Sequence, residues 1–233
     1  MVNNWINIIR NNWLLPSCIL CGNQGFNGMD LCSHCFAQFE LNQSQCLCCA
    51  QPFEDNTAGN ALCGQCQLKP PAFDQVFAPF LYAGNMRYLI TTLKFNANYK
   101  NARLMAQLMI SRLNGSMVLP ECLIPMPLHH KRYKQRGFNQ AIEIAKGLSA
   151  QLNIPTVLTG CARIRDTAHQ TGQSAKNRKK NLNQAFRVIK PLTKQHVAII
   201  DDVMTTGSTA NELAATLKKH GVCKVDVWVC GRA

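Results

Sequence analysis

The sequence predicts an α/β protein with a mainly parallel sheet, preceded by a small cysteine-rich module. Three observations carry this. Apolar strand-like runs alternate with helical periodicities after residue 71. Four C-x-x-C pairs crowd the segment 18–66. An apolar strand near the other end closes on two acids and runs, through a loop of glycine and hydroxyl residues, into a helix.

The elements follow in order after the Lys69-Pro70-Pro71 boundary. Residues 73–83 read as a strand or hairpin, and 86–95 and 101–113 as helices. In the second helix Leu104/Leu108 and Met105/Met109 keep helical spacing. Residues 121–127 form a short apolar strand ended by proline. Asn139 either caps a helix running to about Leu152 or touches a ligand. Residues 157–164 are strand-like, and 196–203 form an apolar strand. A helix from Thr209 to His220 stops at Gly221, and 225–230 is a further strand. In such a sheet, ligands sit beyond the carboxyl ends of the strands.

The chain has 233 residues, of which 47% are hydrophobic and 16% charged, enough apolar material for a core. No apolar stretch approaches the roughly 18 residues that span a bilayer. The first residues lack the pattern of a secretory signal, so a cytoplasmic protein is expected. The net charge is +13, distributed unevenly. Residues 1–70 hold two basic and four acidic side chains, whereas 129–190 hold 13 Lys/Arg against Glu143 and Asp166. That concentration suits polyanions, either a phosphorylated small molecule or a nucleic-acid backbone.

Nine of the 13 cysteines lie between Cys18 and Cys66. The pairs are Cys18/Cys21, Cys32/Cys35, Cys46/Cys49 and Cys63/Cys66, separated by 10, 10 and 13 residues. Two C-x-x-C turns supply the four tetrahedral ligands zinc prefers. A disulfide framework needs an oxidising compartment, and an iron–sulfur cluster also takes four thiolates. Regular pairs in a chain without an export signal favour two structural zinc sites. Sequential pairing is the simplest arrangement, and interleaving stays open. His34 reads as a spacer and Cys48 as a bystander. The segment has few large apolar side chains, so metal would supply folding free energy on the order of 10 kcal/mol per site. Closed four-thiolate sites make the module structural or a binding surface. Cys122, Cys161, Cys223 and Cys230 read as small core residues.

The segment 197–209 carries the chemistry. Val197 to Ile200 read as a buried parallel strand, with Asp201 and Asp202 exposed at its carboxyl end. Thr205, Thr206, Gly207, Ser208 and Thr209 offer amides, four hydroxyls and the positive end of a helix to one phosphate. Two acids repel phosphate, but they suit sugar hydroxyls or a divalent cation on the same ligand. A ribose phosphate satisfies both halves. No G-x-x-x-x-G-K-[ST] occurs in the chain.

This segment resembles the phosphoribosyl-pyrophosphate (PRPP) motif of type I phosphoribosyltransferases. The whole chain, from about residue 15 to 233, resembles the ComF family of bacterial competence proteins (ComFC, or GntX-like). Further segments carry the likeness: LKF at 93–95, IPMPLHHKRYKQRGFNQA at 124–141, and Thr167, Gln170, Arg178, Asn181, Ala185 and Phe186 in the family's order.

The resemblance implies an N-terminal helix and double zinc ribbon over residues 1–70, then a type I phosphoribosyltransferase-like domain over 71–233. Asp201 and Asp202 would hold the ribose hydroxyls, directly or around Mg²⁺. Thr205 to Thr209 would bind the 5′-phosphate, and Lys131, Arg132 and Arg136 the pyrophosphate. His129 and His130 would be rim residues. Arg178, Lys179 and Lys180 would belong to a flap or a nucleic-acid track. The chain begins Met1-Val2, without the N-terminal catalytic cysteine of glutamine-dependent amidophosphoribosyltransferases, and no residue cluster specifies an acceptor base. The expected role is therefore single-stranded DNA handling during natural transformation, with a PRPP site and, where present, a ComFA-type helicase partner. PRPP-dependent transferase turnover is the alternative. Trp5, Trp13, Tyr133, Phe138 and the zinc module would form the strand's path, with core packing the favoured reading for Phe138.

Overall fold

A computed structural model of the chain describes residues 16–54, 61–115, 117–165 and 185–233. The expectations for Trp5, Trp13, Thr167, Gln170, Arg178, Lys179, Lys180 and Asn181, and for the N-terminal helix, lie outside these residues. No helix among the described residues is long and apolar enough to cross a membrane.

Short helices α1 (Ser33–Ala37) and α2 (Gly64–Leu68) punctuate the cysteine-rich segment. β1 (Gln75–Phe77) and β2 (Phe80–Leu81) follow, then α3 (Gly84–Asn96), α4 (Tyr99–Ile110), β3 (Cys122–Pro125), α5 (His130–Arg136) and α6 (Gln140–Leu152). β4 (Cys161–Arg163), β5 (Phe186–Val188), β6 (His196–Met204), α7 (Ser208–Lys219) and β7 (Lys224–Arg232) complete the order. Five strands make one parallel sheet in the order β1-β7-β6-β3, with β2 also beside β7. The 73–83 run is thus a single edge strand broken at Pro79, whose ring cannot donate to the ladder. The strand expected at 157–164 leaves the sheet: β4 pairs antiparallel with β5 outside it.

β6 lies between β3 and β7, and its run Val197 to Ile200 is fully buried on both faces. One face packs Leu89, Leu93, Leu104, Leu108, Ile144 and Leu148 of α3, α4 and α6. The other packs Leu213, Ala214 and Leu217 of α7 against Val225, Val227 and Val229. The cysteine module joins both cores. Leu31 and Phe39 sit with the first helical layer, and Cys46, Cys49 and Cys66 with the second. Its backbone also covers the β1/β2 edge. Val76 N–H donates to Cys48 O at 2.9 Å, Leu81 N–H to Glu40 O at 2.9 Å, and Asn42 N–H to Pro79 O at 3.0 Å. Of the isolated cysteines, Cys122, Cys161 and Cys230 are buried, but Cys223 is exposed, in the turn before β7, and its thiol donates to Gln195 Oε1 at 2.7 Å.

Candidate functional site

The eight paired cysteines form two groups, Cys18/Cys21/Cys32/Cys35 and Cys46/Cys49/Cys63/Cys66, with the sulfur atoms of each group within 4.8 Å of one another. Pairing is therefore sequential. Thiolates 2.3 Å from zinc stand about 3.8 Å apart on a tetrahedron. Cys21 and Cys32 Sγ are 3.6 Å apart, as are Cys49 and Cys63 Sγ. Backbone amides converge on the sulfurs, Cys35 N–H on Cys32 Sγ and Cys63 N–H on Cys46 Sγ. The residues fit two closed zinc sites. Cys48 belongs to neither, and burial pushes its thiol pKa up. His34 points away to Gln38 at 3.0 Å, as a spacer does.

The second site grows from the end of β3. Pro125 pairs with Ile200, and Met126 N–H donates to Ile200 O at 2.8 Å; beyond that, β3 stops while β6 runs on through Asp201 and Asp202. A cavity of 320 Å³ opens there. It is lined by Asp201, Asp202, Thr205 to Thr209, Arg132 and Arg136, together with Lys94, Gln140 and Arg163. Lys131 is exposed and is not part of this lining. Arg132 and Arg136 are one helical turn apart and share a face of α5, whereas Lys131 projects about 100° away.

The loop geometry follows from its glycine. Gly207 has φ +72 and caps α7, and a Cβ there would lie 2.4 Å from Met204 Cε. Thr206 Oγ1 and Ser208 Oγ stand 3.0 Å apart at the first turn of the helix. The Ser208 amide donates to Thr206 Oγ1 at 3.4 Å, so hydroxyls and the first-turn backbone gather at the same opening.

The acids are less open than the sequence suggests. Asp202 is only 2% exposed and forms an ion pair with Lys94 of α3. Its Oδ1 accepts from Gln140 Nε2 at 3.3 Å, and Gln140 Oε1 accepts from Arg136. A polar chain therefore crosses the cavity wall, from Arg136 through Gln140 to Asp202 and Lys94. Asp201 Oδ1 accepts the Asp202 amide at 2.9 Å. Burial, then the neighbouring Asp202 carboxylate, raises the Asp201 pKa well above 3.8. Burial lowers that of Arg136 against the opposing pull of Asp202.

Asn139 acts as a cap: its Oδ1 accepts from Ala141 N–H at 2.9 Å while its Nδ2 donates to Met126 O at 3.0 Å. It fastens the start of α6 to the end of β3. His130 is exposed, but His129 is buried at the start of α5 with its ring 4.1 Å from that of His130, so it is not a rim residue. Phe138 is buried, edge-to-face with Tyr99 at 5.0 Å. Lys94, Gln140 and Arg163 lie within or at the border of the segments that carry the family likeness, so their signal was present without an assigned role.

Arg232, at the end of β7, had no signal. It is 4% exposed and donates to Cys49 O at 3.0 Å, to Gln51 Oε1 at 2.6 Å, to Met204 O at 3.1 Å and to Thr205 O. One guanidinium thereby joins the second cysteine group to the base of the loop.

Known proteins match both halves. Residues 11–67 match the double zinc ribbon domain and residues 139–230 the phosphoribosyl transferase domain. The fold and site thus define a phosphoribosyltransferase-domain protein built onto a double zinc ribbon. DNA utilization protein YhgH of Escherichia coli (strain K12) is 33% identical over 93% of this chain and 94% of its own length. Competence protein F of Haemophilus influenzae is 34% identical over 93% and 96%. Competence protein ComFC of Streptococcus pneumoniae is 24% identical over 82% of each. The chain belongs to the ComF family.

Proposed function

We propose that the cavity beyond β3 and β6 binds PRPP or a related ribose phosphate together with Mg²⁺, in a protein that handles single-stranded DNA during natural transformation. The convergence of Asp201, Asp202, the 205–209 loop and two arginines in one cavity carries the reading. The carboxylates suit ribose hydroxyls or the cation, the loop a terminal phosphate, and Arg132 and Arg136 a pyrophosphate. The names of the relatives, DNA utilization protein and competence protein, support the cellular role. In this reading residues 1–70 are the zinc domain and 71–233 the ribose-phosphate domain. The protein works in the cytoplasm, beside a ComFA-type helicase where one exists.

Isothermal titration of PRPP with Mg²⁺ into the wild type and into Asp201→Asn/Asp202→Asn tests the site. Saturable heat lost in the variant is expected, and absence of heat in the wild type defeats the assignment. Arg132 and Arg136 beside the acids also favour transferase turnover, which would neutralise a departing pyrophosphate. Pyrophosphate release in the presence of candidate acceptors is the corresponding assay.

A further inference from the structure

α3 and the start of α4 present to solvent a surface on which cations and aromatic rings stand side by side. Arg87 and Tyr88 are adjacent; Lys94 and Phe95 follow two turns later on the same helix face; Tyr99 and Lys100 open α4. Tyr88 is 52% exposed, Phe95 76% and Tyr99 50%. Single exposed apolar residues are ordinary, but three exposed rings with the exposed cations Arg87 and Lys100 at either end of the run are not scattered exposure. No acidic residue occurs anywhere from Gly84 to Pro120. The surface reaches the cavity, because Lys94 and Phe95 belong to its lining. Tyr99 extends it towards α5, through its ring contact with Phe138.

Charge and ring chemistry together select the occupant. A duplex would hide its base faces from the rings, and an acidic peptide would leave the rings unused. A single strand uses both, stacking bases on the rings while cations follow the phosphates. We propose that single-stranded nucleic acid runs along this face, over Tyr88, Phe95 and Tyr99, and crosses the cavity mouth. Strand and ribose phosphate then compete, because Lys94 and Phe95 line the cavity mouth that the strand crosses. This rests on the DNA-handling reading above and locates the strand on the helices flanking the cavity.

Fluorescence anisotropy with a labelled oligo-deoxythymidine across a salt series tests it, with zinc content and melting temperature verifying the fold of each variant. Phe95→Ala and Tyr88→Ala are each expected to weaken binding about tenfold with the salt slope unchanged. Arg87→Ala and Lys100→Ala should each flatten the slope of log K against log salt by about 0.7. PRPP with Mg²⁺ should raise the apparent Kd of the oligonucleotide, and Tyr88→Ala should leave the PRPP heat unchanged. If the wild type binds DNA but all four variants match it, the strand lies elsewhere and this inference falls while the DNA reading stands. Independent saturation by strand and PRPP overturns the competition. A wild type that binds no strand at low salt removes both.

Discussion

The guanidinium of Arg232 donates to the carbonyl of Cys49 at 3.0 Å, so a residue of the last sheet strand is bonded directly to a zinc-ligand position of the ribbon. Its other nitrogens hold Met204 and Thr205 carbonyls and Gln51. Arg232→Ala would orphan several buried acceptors at once. A loss of about 3 kcal/mol or more is expected in denaturant unfolding, accompanied by weaker PRPP binding through the loosened loop. Arg232→Lys should recover little, since a single ammonium does not reproduce a planar fork of donors.

Lys94 neutralises Asp202 in the cavity wall. Their side chains are 20% and 3% exposed. Lys94→Met leaves a buried carboxylate without its cation, a change that costs about 3 kcal/mol in comparable pairs. The melting temperature should fall in Mg²⁺-free buffer and be raised by millimolar Mg²⁺ to a greater extent than in the wild type. Thermal shift with and without the metal measures both.

Asp201 predicts a pH dependence. Burial and the adjacent Asp202 carboxylate raise its pKa in the folded state well above 3.8. The folded protein therefore keeps this proton to higher pH than the unfolded chain does. The group's contribution to stability declines as pH rises from about 3.8 through that elevated value, then levels off. Asp201→Asn should flatten this part of the Mg²⁺-free stability–pH curve and raise stability at neutral pH, even as it impairs PRPP binding.

Gly207→Ala should cost about 1–2 kcal/mol, because φ +72 disfavours any side chain. The new methyl group would also press on Met204 Cε, a flexible group that can yield. Met204→Ala in the same chain should relieve the contact but not the backbone strain. Denaturant midpoints of the single and double variants separate these effects, and PRPP affinity reports the loop's displacement.

What the sequence revealed depended on how far apart its signals lay. The cysteine pairs and the strand–loop–helix of 197–209 are local patterns, legible from spacing and residue type alone. The parallel sheet was legible for the same reason, strand by strand. The partners of Lys94 and Arg232 were not. Each reaches its partner only through strand order, Lys94 over 100 residues from Asp202 and Arg232 183 residues from Cys49. The burial of Asp202 was missed because β6 continues past the apolar run and a distant helix covers it. The family resemblance grouped Lys131 with Arg132 and Arg136; in the structure Arg132 and Arg136 line the cavity while Lys131 lies on another face of their helix.

The amides of Val76 and Leu81 and the carbonyl of Pro79 are met by ribbon backbone. Take away the zinc and that seal loosens, leaving bare hydrogen-bonding groups on the outer border of a flat, adhesive array. Metal starvation should therefore make the chains stick to one another before they unravel, and turbidity after chelation should climb more steeply with protein concentration than a simple melting process allows.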